Sequence, residues 1–515
     1  MKRLLMVLAA SCCLVFGATA LGATKDSKAE KSAPSSHTPP PKAQQSVTEG
    51  SVTVEGKRID YTATAGTIIL KNKKGEPTGS MFYVAYAKRG ADKSKRPVTF
   101  FYNGGPGSSS VWLHMGAFGP RRVVTSDHTH TPAAPYKLVN NDYSLLDVTD
   151  EVFIDAMGTG YSRVIGKKQG GVGEDKDFYG VDADAQSFAQ FINQYLSQNN
   201  RWNSPKYIYG ESYGTTRSAL LARVLQGWDI DLNGVVLQSS ILDFRTASFN
   251  AGNDLAYELF LPSYAAVAWY HHKLANQPAD LQPFLQQVQQ FAVGPYAHAL
   301  AQGSTLSKDQ FDAIAKKVSD YTGLSMAYVE KANLRVTASE FEHELLNAND
   351  TTVGRLDARF SGPSMDPMNQ TPQYDPAGSI MPAYIATFNG YVHNTLKFGR
   401  GHHYLPMAGH KWDWKHKNRT YGQTWPGLPN TAFDLASAMK HNPNLQVLVS
   451  SGYFDVATPY FATVYTMQHL PIPKSLDSHI HMKFYDSGHM IYAHAPALKK
   501  LHDNTAAFMR NTDNH

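Results

Sequence analysis

Apolar residues follow two patterns along the chain: short continuous runs, and longer segments in which they recur every three or four positions. Continuous runs are typical of strands buried on both faces of a parallel sheet. Recurrence at helical spacing is typical of amphipathic helices. The runs predict strands at 97–102, 151–155, 206–209, 234–238, 445–450 and 482–485, and the spaced segments predict helices at 182–196, 216–226 and 496–509. This alternation predicts an α/β fold, with a mostly parallel sheet covered by helices on both faces.

The region before these strands has a β pattern of its own. Turn residues, Gly66 among them, separate short β-rich runs at 51–54, 59–64, 67–70 and 81–87. Such spacing predicts four further strands ahead of the alternating part.

A long central region has helical spacing and no clear buried strand. Capping boxes begin at Ser307 and Thr337, and Gly323 stands where a helix would end. A loop is predicted at 366–374. We therefore predict a helical cap at 244–390, inserted between two parts of one core, 47–243 and 391–515.

The first 22 residues have the parts of a signal peptide. Two basic residues precede an apolar stretch at 4–16, which is too short to span a bilayer, and small residues follow it. Both cysteines, Cys12 and Cys13, lie here, so the mature chain is expected to have neither a disulfide nor a thiol nucleophile. A lipid anchor on Cys12 is an alternative that the preceding residues fit poorly. We expect a protein exported to the periplasm or secreted.

The composition excludes several other classes of protein. Residues 23–46 are rich in Lys, Ser, Pro and Gln and predict a flexible linker. The remainder is globular in character, with 42% apolar and 18% charged residues over the whole chain. The net charge of +5 comes without a long basic run, which argues against a nucleic-acid partner. No later run is long and apolar enough for a transmembrane helix.

The strongest chemical signal lies between the strand at 206–209 and the helix at 216–226. Gly210-Glu211-Ser212-Tyr213-Gly214 matches G-x-S-x-G in strand–turn–helix context, the arrangement of a nucleophile elbow. The turn is tight enough that a Cβ at either flanking glycine is expected to clash. Ser212 is therefore the predicted nucleophile, at a helix N-terminus that favours developing negative charge.

A serine nucleophile needs a base and a carboxylate that orients this base. In α/β-hydrolases they follow the serine in the order acid, then histidine, each at the end of a strand. Asp455 and His489 follow the last two predicted strands in this order. Asp486 lies on the same loop as His489, and Asp155 precedes the serine, so both are poorer candidates.

Two other segments contain candidate functional residues. The loop that begins at Asn103 follows a buried strand with three glycines, which would allow backbone N–H groups to approach a ligand. It is either an ordinary loop or the source of an oxyanion hole. His402, His403, His410 and His416 form a histidine-rich segment without zincin spacing. We interpret it as solvated or packed on aromatic rings, not as a metal site, and we predict no cofactor.

Together these motifs resemble the serine carboxypeptidases of the α/β-hydrolase fold. The resemblance covers most of the chain from about Ser51, apart from the cap. The motifs that carry it are Asn103-Gly104-Gly105-Pro106-Gly107-Ser108-Ser109, Gly210-Glu211-Ser212-Tyr213, the segment 452–459 around Asp455, and Gly488-His489-Met490; Phe153-Ile154-Asp155 with Gly158-Thr159-Gly160 is similar to a fifth.

The resemblance implies a role for each matching residue. The implied catalytic residues are Ser212, Asp455 and His489; the implied oxyanion hole is the N–H groups of Gly105 and Tyr213; the implied holders of the substrate's C-terminal carboxylate are Asn103, Gly104 and Glu211. A carboxylate can hydrogen-bond to another carboxyl group only if one of the two is protonated. We therefore expect a raised pKa at Glu211.

The sequence also departs from the family pattern. Ser108 stands where the family usually has Cys, Gly214-Thr215 replaces Ala-Gly, Ile491-Tyr492 replaces a segment that commonly contains Pro, and Phe101 replaces a common Trp. These departures point to a divergent, bacterial-type member. The resemblance implies a carboxypeptidase that acts on peptide substrates. An esterase or acyltransferase on the same scaffold is the alternative, and an inactive binding protein is a third possibility.

Overall fold

The computed structural model describes residues 39, 41–417 and 427–513. The predicted signal peptide, 1–22, and most of the predicted linker lie outside the described residues. The end of the linker does not: Gln45 and Ser46 already belong to the first strand.

The described residues form one large sheet and two small ribbons. The strands are β1 (Gln45–Val54), β2 (Lys57–Lys71), β3 (Pro77–Lys88), β4 (Val98–Tyr102), β5 (Arg121–Val123), β6 (Leu138–Asn140), β7 (Asp150–Ile154), β8 (Arg163–Val164), β9 (Lys206–Glu211), β10 (Gly234–Gln238), β11 (Thr351–Val353), β12 (Ser361–Pro363), β13 (Gln446–Gly452) and β14 (Ile480–Tyr485). The large sheet has the order β1-β2-β3-β7-β4-β9-β10-β13-β14, with β8 paired to β3. Strands β7 to β14 of this order are parallel, and β1 to β3 are antiparallel.

Helices connect the parallel strands and fill the central insertion. They are α1 (Val181–Asn199), α2 (Tyr213–Gln226), α3 (Leu255–Tyr270), α4 (Leu281–Phe291), α5 (Ala297–Gln302), α6 (Lys308–Thr322), α7 (Met326–Lys331), α8 (Ala338–Glu344), α9 (Met381–Asn394), α10 (Ala432–His441), α11 (Tyr460–Gln468) and α12 (Ala495–Thr512). No helix in the described part of the chain is both long enough and apolar enough to cross a membrane.

The central strands are buried on both faces, as their apolar sequences predict. In β9, Ile208 packs into one hydrophobic cluster, whereas Tyr207 and Tyr209 pack into another. Because successive side chains of a strand point to opposite faces, each cluster covers one face of the sheet. This arrangement confirms the predicted α/β fold.

The antiparallel part differs from the prediction at Gly66. Two strands were expected there, at 59–64 and 67–70, but β2 runs through this glycine without a break. Gly66 pairs with Gln45 on one side and with Tyr83 on the other. Since strands on both sides hydrogen-bond to the same backbone, the glycine does not interrupt β2.

The central insertion is helical from α3 to α8, but it is not purely helical. The capping box at Ser307 and the left-handed Gly323 bound α6, as predicted. Beyond α8, however, β11 and β12 form a ribbon, and the predicted boundary at 390 falls inside α9. Tyr384 and Phe388 of α9 pack into a cluster that covers the main sheet. This helix is therefore part of the core packing.

Candidate active site

The turn between β9 and α2 has the strained geometry of a nucleophile elbow. Ser212 has φ 60° and ψ −131°, outside the regions that most side chains adopt. A Cβ added to Gly210 would lie 2.5 Å from the carbonyl carbon of Gly214 and would collide. At Gly214 the expectation was too strong, because a Cβ there would lie 3.0 Å from the carbonyl oxygen of Tyr102, which is tight but not impossible.

Ser212 is partly exposed and lines a cavity of about 240 Å³. His489, Asn103, Gly104, Gly105 and Glu211 line the same cavity. The hydroxyl of Ser212 forms no hydrogen bond with any described residue.

Asp455 and His489 form a buried pair. The Nδ1 atom of His489 lies 2.8 Å from Oδ2 of Asp455, and both side chains are almost fully buried. The rival Asp486 is exposed and lies 3.9 Å from Lys500 at the surface. The order of residues along the sequence therefore selected the carboxylate that contacts the imidazole.

The Asp455 carboxylate has further donors that the sequence did not suggest. Its Oδ1 accepts hydrogen bonds from the N–H groups of Ala457 and Thr458, each 2.8 Å long. The Thr458 hydroxyl donates to Oδ2 over 2.7 Å. These bonds hold the carboxylate at a fixed orientation toward His489. In the sequence, the only indication of these donors is a threonine three positions after the aspartate.

The environment of His489 favours its charged form. Burial lowers the pKa of this imidazole, but the charge and hydrogen bond of Asp455 outweigh burial, and Glu211 adds to them, so the pKa is raised overall. A base with a raised pKa holds a transferred proton more firmly. The pair can thus stabilise the imidazolium that forms when a serine is deprotonated.

The glycine-rich loop after β4 lies directly against the elbow. A Cβ on Gly104 would lie 2.5 Å from the backbone nitrogens of both Tyr213 and Gly214. The next residue, Gly105, has a φ of 101°, which favours glycine. Neither the N–H of Gly105 nor that of Tyr213 donates a hydrogen bond to a described residue. Gly105 also lines the cavity, so its N–H is available to a ligand oxygen there.

Glu211 is buried beside the nucleophile and held by two amides. Asn103 Nδ2 donates to its Oε1 over 2.9 Å, and Gln238 Nε2 donates to its Oε2 over 3.0 Å. Burial raises the pKa of Glu211 to about 7, against the opposing effects of His489, Tyr492 and Asn103. At mildly acidic pH this side chain is a neutral carboxylic acid, as the sequence led us to expect.

A buried arginine supports Asn103 from behind. Arg217 Nη1 donates to the backbone carbonyl oxygen of Asn103 over 2.9 Å, and the guanidinium is paired with Asp184 at 2.7 Å. The amide oxygen of Asn103 accepts from the N–H of Leu113 over 3.1 Å. The Asn103 amide nitrogen is consequently directed at Glu211.

The remaining cavity wall is mainly apolar. Its apolar residues are Trp112, Leu356, Met381, Met407, Ala457 and Met490, and its polar residues are Ser108, Arg355 and Thr458. Trp112 Nε1 donates to the hydroxyl of Ser108 over 2.8 Å, so the serine found in place of the family's usual cysteine anchors this ring. Leu356 belongs to the insertion, which therefore contributes to the cavity.

A comparison with known families gives a match over most of the chain. The model of the family described as "Serine carboxypeptidase" matches residues 62–495. The chain belongs to the serine carboxypeptidase family. The match spans every residue of the cavity and the whole insertion, including the segment that the resemblance did not cover.

Individual members of this family match shorter parts of the chain. The chain is 36% identical over 98 residues to the pheromone-processing carboxypeptidase KEX1 of Cryptococcus gattii, which is 19% of this chain and 14% of that protein. It is 31% identical over 170 residues to the carboxypeptidase Y homolog A of Phaeosphaeria nodorum, 32% of this chain and 28% of that protein. The chain thus aligns with less than a third of either relative.

A solved structure shares the fold. The prohormone-processing carboxypeptidase Kex1 of Saccharomyces cerevisiae superposes with a TM-score of 0.54 at 15% identity, covering 88% of this chain and 91% of that one. The α/β-hydrolase fold is therefore shared at low sequence identity.

The histidine-rich segment and Asp155 lie elsewhere in this serine carboxypeptidase fold. His410 stacks on Tyr179 with ring centroids 3.8 Å apart, and His416 lies between Asp182 and Asp434 at 2.6 and 2.7 Å. Asp155 accepts a hydrogen bond from the N–H of Ser110 over 2.8 Å, beneath the glycine-rich loop. Among the described residues, a single group of three possible metal ligands was found, Glu55, His502 and Asp503, and none of them lines the cavity.

Proposed function

We propose that this protein is a serine-type carboxypeptidase that releases C-terminal amino acids from peptides through an acyl-enzyme on Ser212. The observation that carries the proposal is Glu211. A buried acid with a pKa of about 7, next to the nucleophile and hydrogen-bonded to Asn103, can donate a proton to a second carboxylate. A peptide's C-terminus supplies such a carboxylate, whereas a simple ester does not.

In the first half of the reaction, the Ser212 hydroxyl attacks the carbonyl carbon of the last peptide bond. His489 uses the nitrogen that does not face Asp455 to take the hydroxyl proton. As the Oγ–C bond forms, the carbonyl oxygen gains negative charge. The free N–H groups of Gly105 and Tyr213 are the donors we assign to this oxygen.

The tetrahedral intermediate then loses the C-terminal amino acid. The C–N bond breaks, and the imidazolium of His489 gives its proton to the leaving amine. Water next attacks the acyl-enzyme with His489 as base, and the shortened peptide leaves as its carboxylic acid. Asp455 holds the imidazole and stabilises its charged form throughout, supported by Thr458.

Substrate orientation is assigned to Asn103, Gly104 and Glu211. The neutral Glu211 carboxyl would donate to the terminal carboxylate, with the Asn103 amide and the Gly104 backbone beside it. This end of the cavity fixes the distance from the terminal carboxylate to Ser212. Cleavage one residue from the C-terminus is the expected consequence.

We also infer that the protein is exported, with 1–22 as signal peptide and 23–46 as linker. The support is the charge and hydropathy pattern of these residues. The segment 244–390 is assigned as a cap over the site, because its Leu356, between β11 and β12, lines the cavity.

Three matched substrates test the proposal: an N-blocked dipeptide with a free C-terminus, its C-terminal amide and its methyl ester. The free acid should be the best substrate at mildly acidic pH. Ser212→Ala should abolish both turnover and labelling by a fluorophosphonate probe. Equal cleavage of the amide, or turnover of esters alone, would instead support the esterase or acyltransferase alternative.

A further inference from the structure

The cavity contains one cationic side chain among its described lining residues, Arg355, which the proposed mechanism does not use. It belongs to the insertion, between β11 and β12. Two of the other lining residues, Glu211 and His489, are titratable. The rest are either apolar or polar without a charge.

The backbone of Arg355 is held firmly to the catalytic loops. Its carbonyl oxygen accepts a hydrogen bond from the N–H of Val456, next to Asp455, over 3.1 Å. Its N–H donates to the Asp375 carboxylate over 3.0 Å. The following residue, Leu356, is bonded in turn to His489. The start of the Arg355 side chain is therefore fixed relative to the reacting atoms.

The guanidinium itself has no bonded partner. It forms neither a hydrogen bond nor an ion pair with any described residue, and the residue is exposed. The charge of Arg355 acts on two acids, Glu342 and Asp375, which are both largely buried. It also acts on the imidazole of His489. An unpaired cation at the mouth of a small, mainly apolar cavity is an available site for a substrate carboxylate.

We propose that Arg355 selects peptides that have an acidic side chain, Asp or Glu, in one of the two residues that flank the scissile bond. The inference rests on the proposed carboxypeptidase function and adds a substrate class to it. The terminal carboxylate is already provided for by Asn103, Gly104 and Glu211. A second carboxylate close to the reacting carbonyl is what the free guanidinium would bind.

The test uses N-blocked dipeptides at pH 6, where acidic side chains are ionised. Glu is compared with Gln and with Lys at the penultimate position, and Asp with Asn and with Lys at the last position. The wild-type enzyme should favour the acid over its amide at one of the two positions by about fivefold in kcat/KM, the upper range for an exposed ion pair. This preference should fall as salt is raised from low to high concentration.

Substitutions of Arg355 test whether this residue causes the preference for acidic side chains. Arg355→Gln should remove the discrimination, so that each acidic peptide and its amide counterpart are cleaved with equal kcat/KM, and Arg355→Glu should reverse it in favour of Lys. The exposed Lys331 of the same insertion does not line the cavity, so Lys331→Gln is a control for the change in net charge. All three variants alter an exposed side chain, and their melting temperatures should match the wild type.

Two results would overturn the inference. One is a wild-type enzyme that cleaves neutral dipeptides but does not discriminate acid from amide at either position. The other is an Arg355→Gln variant that loses activity equally on all free-acid peptides, which would mean that Arg355 holds the terminal carboxylate. An enzyme that cleaves no peptide at all would instead refute the carboxypeptidase function, and this inference with it.

Discussion

The backbone N–H of His489 donates a 2.6 Å hydrogen bond to the carbonyl oxygen of Leu356. The loop that carries the imidazole is thus tied to the insertion. The same insertion segment accepts a bond from Val456 and donates one from Ala358 to Phe454, on either side of Asp455. The insertion therefore braces the loops that carry both His489 and Asp455.

Asp375 holds the insertion segment that contacts the loops of His489 and Asp455. Its substitution should therefore affect catalysis, although Asp375 itself does not line the cavity. Its carboxylate accepts from the N–H groups of Arg355 and Leu356, each over 3.0 Å. In Asp375→Asn one of these N–H groups would face an amide donor, and the segment should shift. We expect kcat to fall about 10- to 100-fold, as small displacements of catalytic groups cost this much. Asp366→Asn, in an exposed loop of the same insertion, is the control; a native kcat in Asp375→Asn would refute the brace.

Asp455→Asn should leave the fold intact and remove most activity. The amide oxygen can still accept from Ala457 and Thr458, but the side chain no longer carries the charge that stabilises an imidazolium at His489. A drop in kcat of about 10³- to 10⁴-fold is expected, with KM little changed. Steady-state kinetics measures this, and circular dichroism checks the fold. Asp486→Asn, at the surface, should behave as wild type.

Substrate affinity should weaken as pH rises through the pKa of Glu211, which burial raises to about 7. Below this pH the side chain is protonated and donates to the terminal carboxylate; above it, two negative charges would meet. KM for a blocked dipeptide should therefore increase from pH 6 to pH 8. In Glu211→Gln the amide donates at every pH, so this increase should disappear. A variant that kept the full wild-type dependence of KM would exclude the assigned role.

The positions of Ser212 and His489 at one cavity, and of Asp455 beside His489, could be predicted because they depend on strand order alone. Each residue follows a strand of the parallel sheet, and the carboxyl ends of neighbouring parallel strands meet at one edge. Apolar runs identify those strands without knowledge of any tertiary contact. The same reasoning preferred Asp455, which contacts the imidazole of His489, to Asp486, which lies at the surface.

The parts that were missed depend on long-range packing. Nothing in the pattern around Leu356 indicates that its carbonyl oxygen meets His489, since the two residues are far apart in sequence. The predicted end of the cap, at 390, lies inside α9. Its assignment to the core follows only from the partners of Tyr384 and Phe388. Periodicity reports that a face is buried but not which surface buries it.

Thr458 should contribute to catalysis through Asp455. Its hydroxyl lies 2.7 Å from Oδ2 of Asp455 and 3.1 Å from Nδ1 of His489. Thr458→Val keeps the shape and the backbone N–H but removes this donor. We expect kcat to fall about tenfold, as a hydrogen bond to a charged group contributes about 1.5–3 kcal/mol. Thr463→Val is the matched control. Thr463 is also buried, and its hydroxyl contacts the carbonyl oxygen of Ser240 as that of Thr458 contacts Ser239, but it does not contact Asp455. Equal losses in both variants would argue for a packing effect.

Glu342 should make the stability of the protein depend on pH. It is a buried acid of the insertion whose Oε1 has no hydrogen-bond partner among the described residues, and burial raises its pKa to about 8. The unfolded chain releases this proton near the ordinary pKa of 4.5, so stability due to this group is lost as pH rises from there through 8. Glu342→Gln cannot ionise. Its melting temperature should be close to wild type at pH 5 and clearly higher at pH 9, since each unit of pKa shift corresponds to about 1.4 kcal/mol. Glu330→Gln, at a partly exposed position of α7, should show no such divergence, and parallel melting curves for Glu342→Gln and wild type from pH 5 to pH 9 would contradict the prediction.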